Sequence, residues 1–172
     1  MRVEDLPPIF AKCRSEEDSR YSISKSWIDA SGKYVCSTDG RIIVRMPVPS
    51  YGIEGDLGTK PPPIDGLGWD GPFEDLATPI PELTEDSRKV CDCCHGAGQH
   101  SCCGAECKEC GGTGYCVIYG ATKVGNVMLG NKYIRKIIAA NASIFVRKDG
   151  KDNKPVRFVG PDFEGLLMPR TA

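Results

Sequence analysis

Eight of the ten cysteines lie between Cys91 and Cys116, and this cluster constrains the fold more than any other feature of the chain. It contains two copies of the pattern CxxCxGxG, at 91–98 and 107–114. A CxxC turn lets two thiolates reach one ion, and zinc in structural sites takes four such ligands tetrahedrally. The spacing therefore predicts a structural zinc ion held by Cys91, Cys94, Cys107 and Cys110.

The other cysteines and both histidines of the cluster leave two interpretations open. They complete a second zinc site, or they are bystanders in a tight loop, which is the interpretation we favour from the sequence. Close CxxC pairs favour metal binding over disulfides, and redox chemistry by these pairs would require a labile metal. The residues concerned are Cys93, Cys102, Cys103, Cys116, His95 and His100.

The two repeats resemble the cysteine-rich region of DnaJ-type co-chaperones. That family carries four repeats where this chain has two, and the chain has no His-Pro-Asp tripeptide of a J-domain. The resemblance covers the cysteine cluster alone. It implies zinc binding and does not imply a chaperone function.

Before the cluster, the sequence predicts a short helix followed by an antiparallel meander. Apolar residues have helical spacing within LPPIFAKCRSEE, and prolines are tolerated in a first helical turn. Three runs rich in β-branched and aromatic residues follow, separated by Ser-Gly and Asp-Gly pairs that are typical of hairpin turns. The predicted strands are RYSISKSWIDA, KYVCS and RIIVRMPV.

A long stretch without periodicity, rich in proline, glycine and acids, leads into the cluster and predicts a loop or linker. After the cluster, strand-like residues precede a helix that Asn131 is expected to cap. Its apolar stripe would contain Tyr133, Ile134, Ile137 and Ile138. The strands SIFVRK, PVRFV and LLMP would then close the chain.

The parts on either side of the cluster look incomplete alone, which predicts a single interrupted domain. We expect an α+β fold of antiparallel strands with two helices, interrupted by a small zinc-binding insert. The predicted segments are 1–48 for the first half of the domain, 49–88 for the acidic Pro/Gly-rich loop or linker, 89–116 for the insert and 117–172 for the second half.

The strands and turns given above on both sides of the cluster resemble one domain of the bacterial sliding clamp, the beta subunit of DNA polymerase III, and this resemblance implies a clamp-like domain. The first half carries a strand and a hairpin with a Thr-Asp-Gly turn at 38–40, similar to a TDG-type motif of that family. The second half has a helix with asparagine and tyrosine in its first turn, a Pro-Val strand, and a closing strand that ends in Met-Pro-Arg at 168–170. The matches follow the family's order and cover about one domain, whereas the full subunit has three.

The resemblance also implies a pocket for partner peptides near the turn and the Met-Pro end. One departure concerns Arg41, which follows Gly40 directly where the family usually has one residue between. A shift of one residue sends a side chain to the other face of a strand. The residues implied for this pocket are Arg41, Ile42, Met168 and Pro169.

Charge is distributed unevenly, although the net charge is only -1. Nine acids and one base lie in residues 54–86, whereas eight bases and two acids lie in residues 132–157. Such asymmetry indicates an anionic partner for the basic end, or an ordinary solvated surface. Sliding clamps hold DNA through basic helices that face phosphates, which implies DNA contacts for Lys132, Arg135 and Lys136.

The leading hypothesis is a non-enzymatic, zinc-containing binding module associated with DNA or replication proteins. The alternatives are a zinc-dependent protein-interaction adaptor without a nucleic-acid role and, less favoured, a thiol oxidoreductase. The sequence lacks GxSxG, P-loop and HExxH motifs. It also lacks a secretory signal and a membrane-spanning apolar run, so we expect a cytoplasmic protein with no membrane partner. The oligomeric state stays open.

Overall fold

A computed structural model describes residues 1–16, 20–64 and 66–170, and Glu17 at the end of the predicted first helix lies outside these ranges. The fold is α+β, with mostly antiparallel strands and two helices. The helices are α1 (Pro8–Lys12) and α2 (Asn131–Ala139). The strands are β1 (Trp27–Ile28), β2 (Tyr34–Thr38), β3 (Ile42–Pro47), β4 (Ser87–Val90), β5 (Tyr115–Ile118), β6 (Ala121–Val124), β7 (Val127–Gly130), β8 (Ser143–Phe145), β9 (Val156–Val159) and β10 (Glu164–Leu167).

One six-stranded antiparallel sheet joins the two ends of the chain. Its strand order is β1-β2-β3-β10-β9-β8, so the first three strands meet the last three where β3 pairs with β10. The pairs β4-β5 and β6-β7 form separate two-stranded ribbons. Neither half of the chain forms this sheet alone, because β3 comes from the first half and its partner β10 comes from the second.

The turn between β2 and β3 follows from its Thr-Asp-Gly sequence. Gly40 has a φ of +89°, in the left-handed region that costs glycine little. The Asp39 carboxylate accepts hydrogen bonds from the N–H groups of Arg41 and Ile42, at 3.0 and 3.2 Å. Asp39 is therefore a turn residue, as its sequence context indicates.

The larger hydrophobic core lies between one face of the sheet and the two helices. Val44 of β3 and Phe158 of β9 point to this side, and Ile9 of α1 and Ile134 and Ile137 of α2 pack there. All five are at most 1% exposed. Successive side chains of a strand point to opposite faces of the sheet, so every second residue of these strands points into this core.

The opposite face of the sheet is covered by the proline-rich stretch. Leu67, Trp69 and Phe73 pack on Trp27 and Ile43, which belong to the strands beneath. The predicted loop or linker of residues 49–88 is thus a loop until β4 begins at Ser87. It covers the face of the sheet opposite the helices. Its irregular backbone explains why no period marks this role in the sequence. Asp65, one of its acids, lies outside the described residues.

Two predictions about the helices are corrected by the structure. Helix α1 is shorter than predicted and is capped at Cys13. The residue that caps α2 is Gly130, not Asn131. The Asn131 side chain is buried instead, where it accepts a hydrogen bond from the Thr122 hydroxyl and donates one to the carbonyl of Thr84, both at 2.7 Å.

The apolar stripe of α2 is narrower than predicted. Ile134 and Ile137 are buried and Tyr133 is half-buried, whereas Ile138 is 47% exposed. Each residue of an α-helix is rotated by about 100° from the one before it, so Ile138 points away from the sheet where Ile137 points toward it. In the described part of the chain, no helix has the length and apolar character needed to cross a bilayer.

Candidate metal centre and neighbouring surfaces

The metal hairpin, residues 87–118, begins and ends with a two-stranded stem. Strands β4 and β5 pair from Ser87 with Ile118 to Val90 with Tyr115, so the stem extends two residues beyond each predicted boundary of the insert. At the end of the stem, the N–H of Cys91 donates to the carbonyl of Gly114 at 2.9 Å. The stem therefore brings the first repeat directly beside the end of the second.

The two repeats are related by an approximate twofold symmetry. The N–H of Cys107 donates to the carbonyl of Gly98 at 2.9 Å, which reproduces the Cys91 bond with the repeats exchanged. In the first repeat, the Gly98 N–H points to the sulfur of Cys94 at 3.3 Å. In the second, the Gly114 N–H points to the sulfur of Cys110, also at 3.3 Å. Such amide bonds orient thiolate ligands and partly neutralise their charge.

The four predicted cysteines converge on one point. The sulfurs of Cys91 and Cys107 are 3.8 Å apart, those of Cys94 and Cys110 are 3.7 Å apart, and all four lie within 4.8 Å of one another. A tetrahedral zinc ion with Zn–S bonds of about 2.3 Å would space its sulfurs about 3.8 Å apart. The group could hold a metal ion, and its donor set and spacing fit zinc.

The glycines of the repeats are required by close backbone approach. Gly98 and Gly114 have φ values of +74° and +77°. A Cβ atom on Gly98 would collide with the carbonyl oxygen of Gly112, and one on Gly114 would collide with that of Gly96. The absence of a side chain at Gly98 and Gly114 thus allows the two turns to pack closely against each other.

The thiols of the centre differ in their tendency to ionise. The backbone N–H of Cys94, with help from that of Cys93, lowers the pKa of Cys91 to about 6 despite its burial. Burial raises the pKa of Cys107. Because metals bind thiolates, an ion at this centre would have to stabilise the deprotonated form of Cys107.

A second, overlapping group of possible ligands consists of Cys93, His100 and Cys107. Since Cys107 belongs to the first group too, a second ion here would share its sulfur. Cys116 packs beside the centre and is half-buried. Cys102 and Cys103 are exposed, and His95 adopts a φ of +51° in the turn after Cys94. Two interpretations stay open for these residues, a second zinc site and bystanders.

The remaining two cysteines are far from this chemistry. Cys13 follows α1 and Cys36 lies in β2, and both are fully buried in the domain core. Burial raises the pKa of each thiol to about 12. They behave as small apolar residues that stay protonated at neutral pH.

The three bases predicted to contact DNA have different surroundings. Arg135 forms an ion pair with Asp86 at 2.6 Å, and Lys136 forms one with Asp39 at 3.3 Å. Lys136 is also largely covered, with 16% of its side chain exposed. Lys132 lies near the rings of Tyr119 and Tyr133 and has no ion pair among the described residues.

The residues implied for a peptide pocket divide between two adjoining cavities that share Arg41 and Met168. The first, the apolar cavity, measures about 340 Å³ and is lined by Arg41, Ile42 and Met168 together with Pro63 and Leu67. Pro169 does not line this cavity. It lines the neighbouring basic groove, which is described below.

The apolar cavity depends on residues that sequence reasoning did not select. Its walls include the proline-rich stretch and Pro155, which stand far from the Thr-Asp-Gly turn in the sequence. The adjoining groove likewise contains Tyr119 and Arg170. Arg170 could have been selected from the sequence, because it directly follows Met168 and Pro169. The other residues reach the cavities through tertiary folding, which leaves no local sequence pattern.

Comparison with protein-family models, with curated proteins and with solved structures found no match to this chain.

Proposed function

We propose that this chain is a non-enzymatic binding module in which a zinc-stabilised hairpin projects from a clamp-like domain that associates with replication proteins or DNA. The observation that carries the proposal is the apolar cavity, lined by Arg41, Ile42 and Met168. Its lining includes residues of the turn after β2, the proline-rich stretch and the segment after β10. The apolar side chains among them support capture of a short apolar segment from a partner protein.

The metal centre supports a structural role for zinc. Cys91, Cys94, Cys107 and Cys110 would supply four thiolate ligands to the ion, as in structural zinc sites, and would leave no position open for a substrate. Cys91, Cys94 and Cys107 are also buried. Zinc would therefore fix the fold of the metal hairpin without performing chemistry.

The apolar cavity has the properties of a peptide-binding site. Its volume of about 340 Å³ lies at the lower end of the range for ligand pockets, roughly 300 to 1,000 Å³. Its lining includes the apolar residues Ile43, Leu67 and Met168, and Met168 is 40% exposed. A flexible methionine at such an edge can adapt to apolar side chains of a partner.

The resemblance of the sequence to a sliding-clamp domain supports an association with DNA or replication proteins. A single domain cannot encircle DNA, so a clamp function would require several copies or a different mode of contact. Arg135 and Lys136 already have carboxylate partners. These two ion pairs favour the second candidate function, a zinc-dependent protein-interaction adaptor without a nucleic-acid role.

Selection of peptides from a display library on the zinc-loaded chain tests the proposal. We expect enriched peptides with two or more spaced apolar residues, and at least tenfold weaker binding of these peptides to Met168→Glu. Met128→Glu is the matched control, because Met128 is 41% exposed and lies outside the apolar cavity. Failure to enrich any peptide, or equal loss in both variants, would refute the role of the cavity.

A further inference from the structure

The basic groove lies between the base of the metal hairpin and the amino end of α2, and its volume is about 380 Å³. Tyr119, directly after β5, forms one wall, and Lys132 and Tyr133 of α2 form another. Arg41 and Arg170 complete the lining. Arg170 donates from Nη1 to the carbonyl oxygen of Tyr119 at 3.0 Å, which holds the C-terminal segment against the hairpin base.

Within residues 1–16, 20–64 and 66–170, the three bases that line this groove have no acidic partner. Arg41, Lys132 and Arg170 make no ion pair with any residue that the structure describes. No carboxylate from the described ranges lines the groove. The two acids that adjoin it, Asp39 and Asp86, are each held by another base on α2. Three cations therefore face one concavity that can take up an anion.

An aromatic side chain stands beside these cations. Tyr119 is 43% exposed, and the ammonium group of Lys132 lies 5.8 Å from the centre of its ring. Tyr133 lies deeper, and burial together with the adjacent Asp39 raises its pKa to about 12, so its hydroxyl stays neutral. The groove thus combines positive charge with an accessible ring face.

We propose that the basic groove binds single-stranded nucleic acid, with phosphates at Arg41, Lys132 and Arg170 and a base stacked on Tyr119. Sequence-independent binding of single strands combines a basic groove that follows the backbone with aromatic rings that stack on bases. The proposal rests on the association with DNA proposed above and specifies its ligand. The phosphate contacts differ from those expected from the sequence. Of the three basic residues of α2 named there, Lys132 alone takes part, and Arg41 and Arg170 replace the other two.

The exposed ring favours a single strand over a duplex. In a duplex, the faces of the bases are covered by their neighbours and cannot stack on a side chain, whereas unpaired bases can. An acidic peptide could also neutralise the three cations. It would gain no stacking on Tyr119, so the contribution of this residue separates the two ligands.

Fluorescence anisotropy with a labelled twelve-residue oligo-dT and the zinc-loaded full chain tests the proposal. We expect binding at 50 mM salt that weakens steeply at 200 mM. Substitution of Arg41, Lys132 and Arg170 by alanine should weaken binding at least tenfold. It should also reduce the slope of log affinity against log salt by about 2, because each phosphate contact of a single strand contributes roughly 0.7. Tyr119→Ala should weaken binding about fivefold or more and leave the slope unchanged.

The matched control replaces bases that already have partners. Lys25→Ala with Lys148→Ala removes two cations that pair with Asp56 and Asp75 and lie outside the lining of the groove, and it should change affinity less than twofold. Zinc content and circular dichroism verify that each variant is folded. Lys132→Glu provides a single substitution at an exposed position, and it should weaken binding as well.

Several results would overturn the proposal. They are absence of oligo-dT binding by the unaltered chain at 50 mM salt, unchanged affinity of the triple variant, an equal loss in the control, and tighter binding of a duplex of the same length. Competition by poly-glutamate together with no effect of Tyr119→Ala would indicate an acidic protein segment instead. Peptide capture by the apolar cavity is measured separately, so its failure and the failure of the groove are distinguishable.

Discussion

Ile43 of β3 lies directly opposite Leu166 of β10 in the sheet, although the metal hairpin and the proline-rich stretch separate them in the sequence. The strands on both sides of this pair extend the same sheet. Among the described strands, β4 and β5 of the metal hairpin pair with each other and with no strand of this sheet. The sheet should therefore keep its structure when the hairpin loses its metal.

Removal of one ligand tests this separation. Cys107→Ser should abolish tight zinc binding, because the fully buried Cys107 sulfur is replaced by a poor ligand and the repeats lose their shared centre. In hydrogen exchange, the amides of residues 87–118 should exchange rapidly, whereas those of β3 and β10 should stay protected. Native mass spectrometry would report the zinc count.

Cys93→Ser is the control for that experiment, since Cys93 is exposed and outside the four-cysteine group. It should keep one zinc ion per chain. Loss of protection throughout the sheet in Cys107→Ser would contradict the independence of the domain from the metal hairpin. Loss of a zinc ion in Cys93→Ser would favour the second site that includes His100.

The nested glycine turns allow a test that leaves all ligands in place. Gly98→Ala should weaken zinc binding about 10- to 100-fold, as do changes in groups that support metal ligands, because the new Cβ collides with the carbonyl of Gly112. Gly104→Ala is a matched control, since Gly104 also has positive φ, +68°, but has open space around its Cα. Competition with a chromophoric chelator measures both affinities. Equal effects would show that backbone strain, not the collision, determines the loss.

Thiol reactivity should divide eight of the ten cysteines into three groups. With zinc bound at pH 8, iodoacetamide should modify the exposed Cys102 and Cys103 first and the four ligands only after chelation. Cys13 and Cys36 should react only on unfolding, because a pKa of about 12 leaves almost no thiolate. Mass spectrometry of digests gives the order. Rapid modification of Cys13 in the folded chain would contradict its burial.

The same raised pKa values give stability a pH dependence of defined sign. Cys13 and Cys36 are protonated in the folded chain up to about pH 12, whereas their ordinary pKa is 9.0. Unfolding therefore releases protons above pH 9, and the stabilisation that is complete below pH 9 declines as the pH rises toward 12. The urea midpoint of the zinc-loaded chain should fall between pH 8 and pH 10, and substitution of both residues by alanine should reduce that fall.

Local patterns explain what could be predicted from the sequence. The two CxxCxGxG repeats carry their own ligands and turn glycines, and Gly40 marks the hairpin after β2. Long-range placement could not be predicted in this way. Nothing near Trp69 indicates that it covers the sheet, and nothing near Asn131 indicates that its amide joins Thr84 and Thr122. These contacts arise from tertiary packing and leave no periodic trace.

A last prediction concerns Glu164 of β10, which connects the sheet to its proline-rich cover. Its carboxylate forms ion pairs with Arg45 and Arg157, both at 2.7 Å, and the guanidinium of Arg45 lies 3.7 Å from the ring centre of Trp69. The side chains of Arg45 and Glu164 are only 16% and 20% exposed, so Glu164→Gln would leave Arg45 largely buried without its counter-charge. We expect a loss of about 2 kcal/mol in the free energy of unfolding.

Glu4→Gln is the control for this change, since Glu4 pairs with Arg2 where both side chains are at least 70% exposed. Exposed pairs contribute little, so this variant should stay within about 0.5 kcal/mol of the unaltered chain. Urea denaturation followed by tryptophan fluorescence measures both variants, and Trp69 reports directly on the cover. If the two substitutions had the same effect, Arg45 would be solvated in solution and the cover would be held by apolar contacts alone.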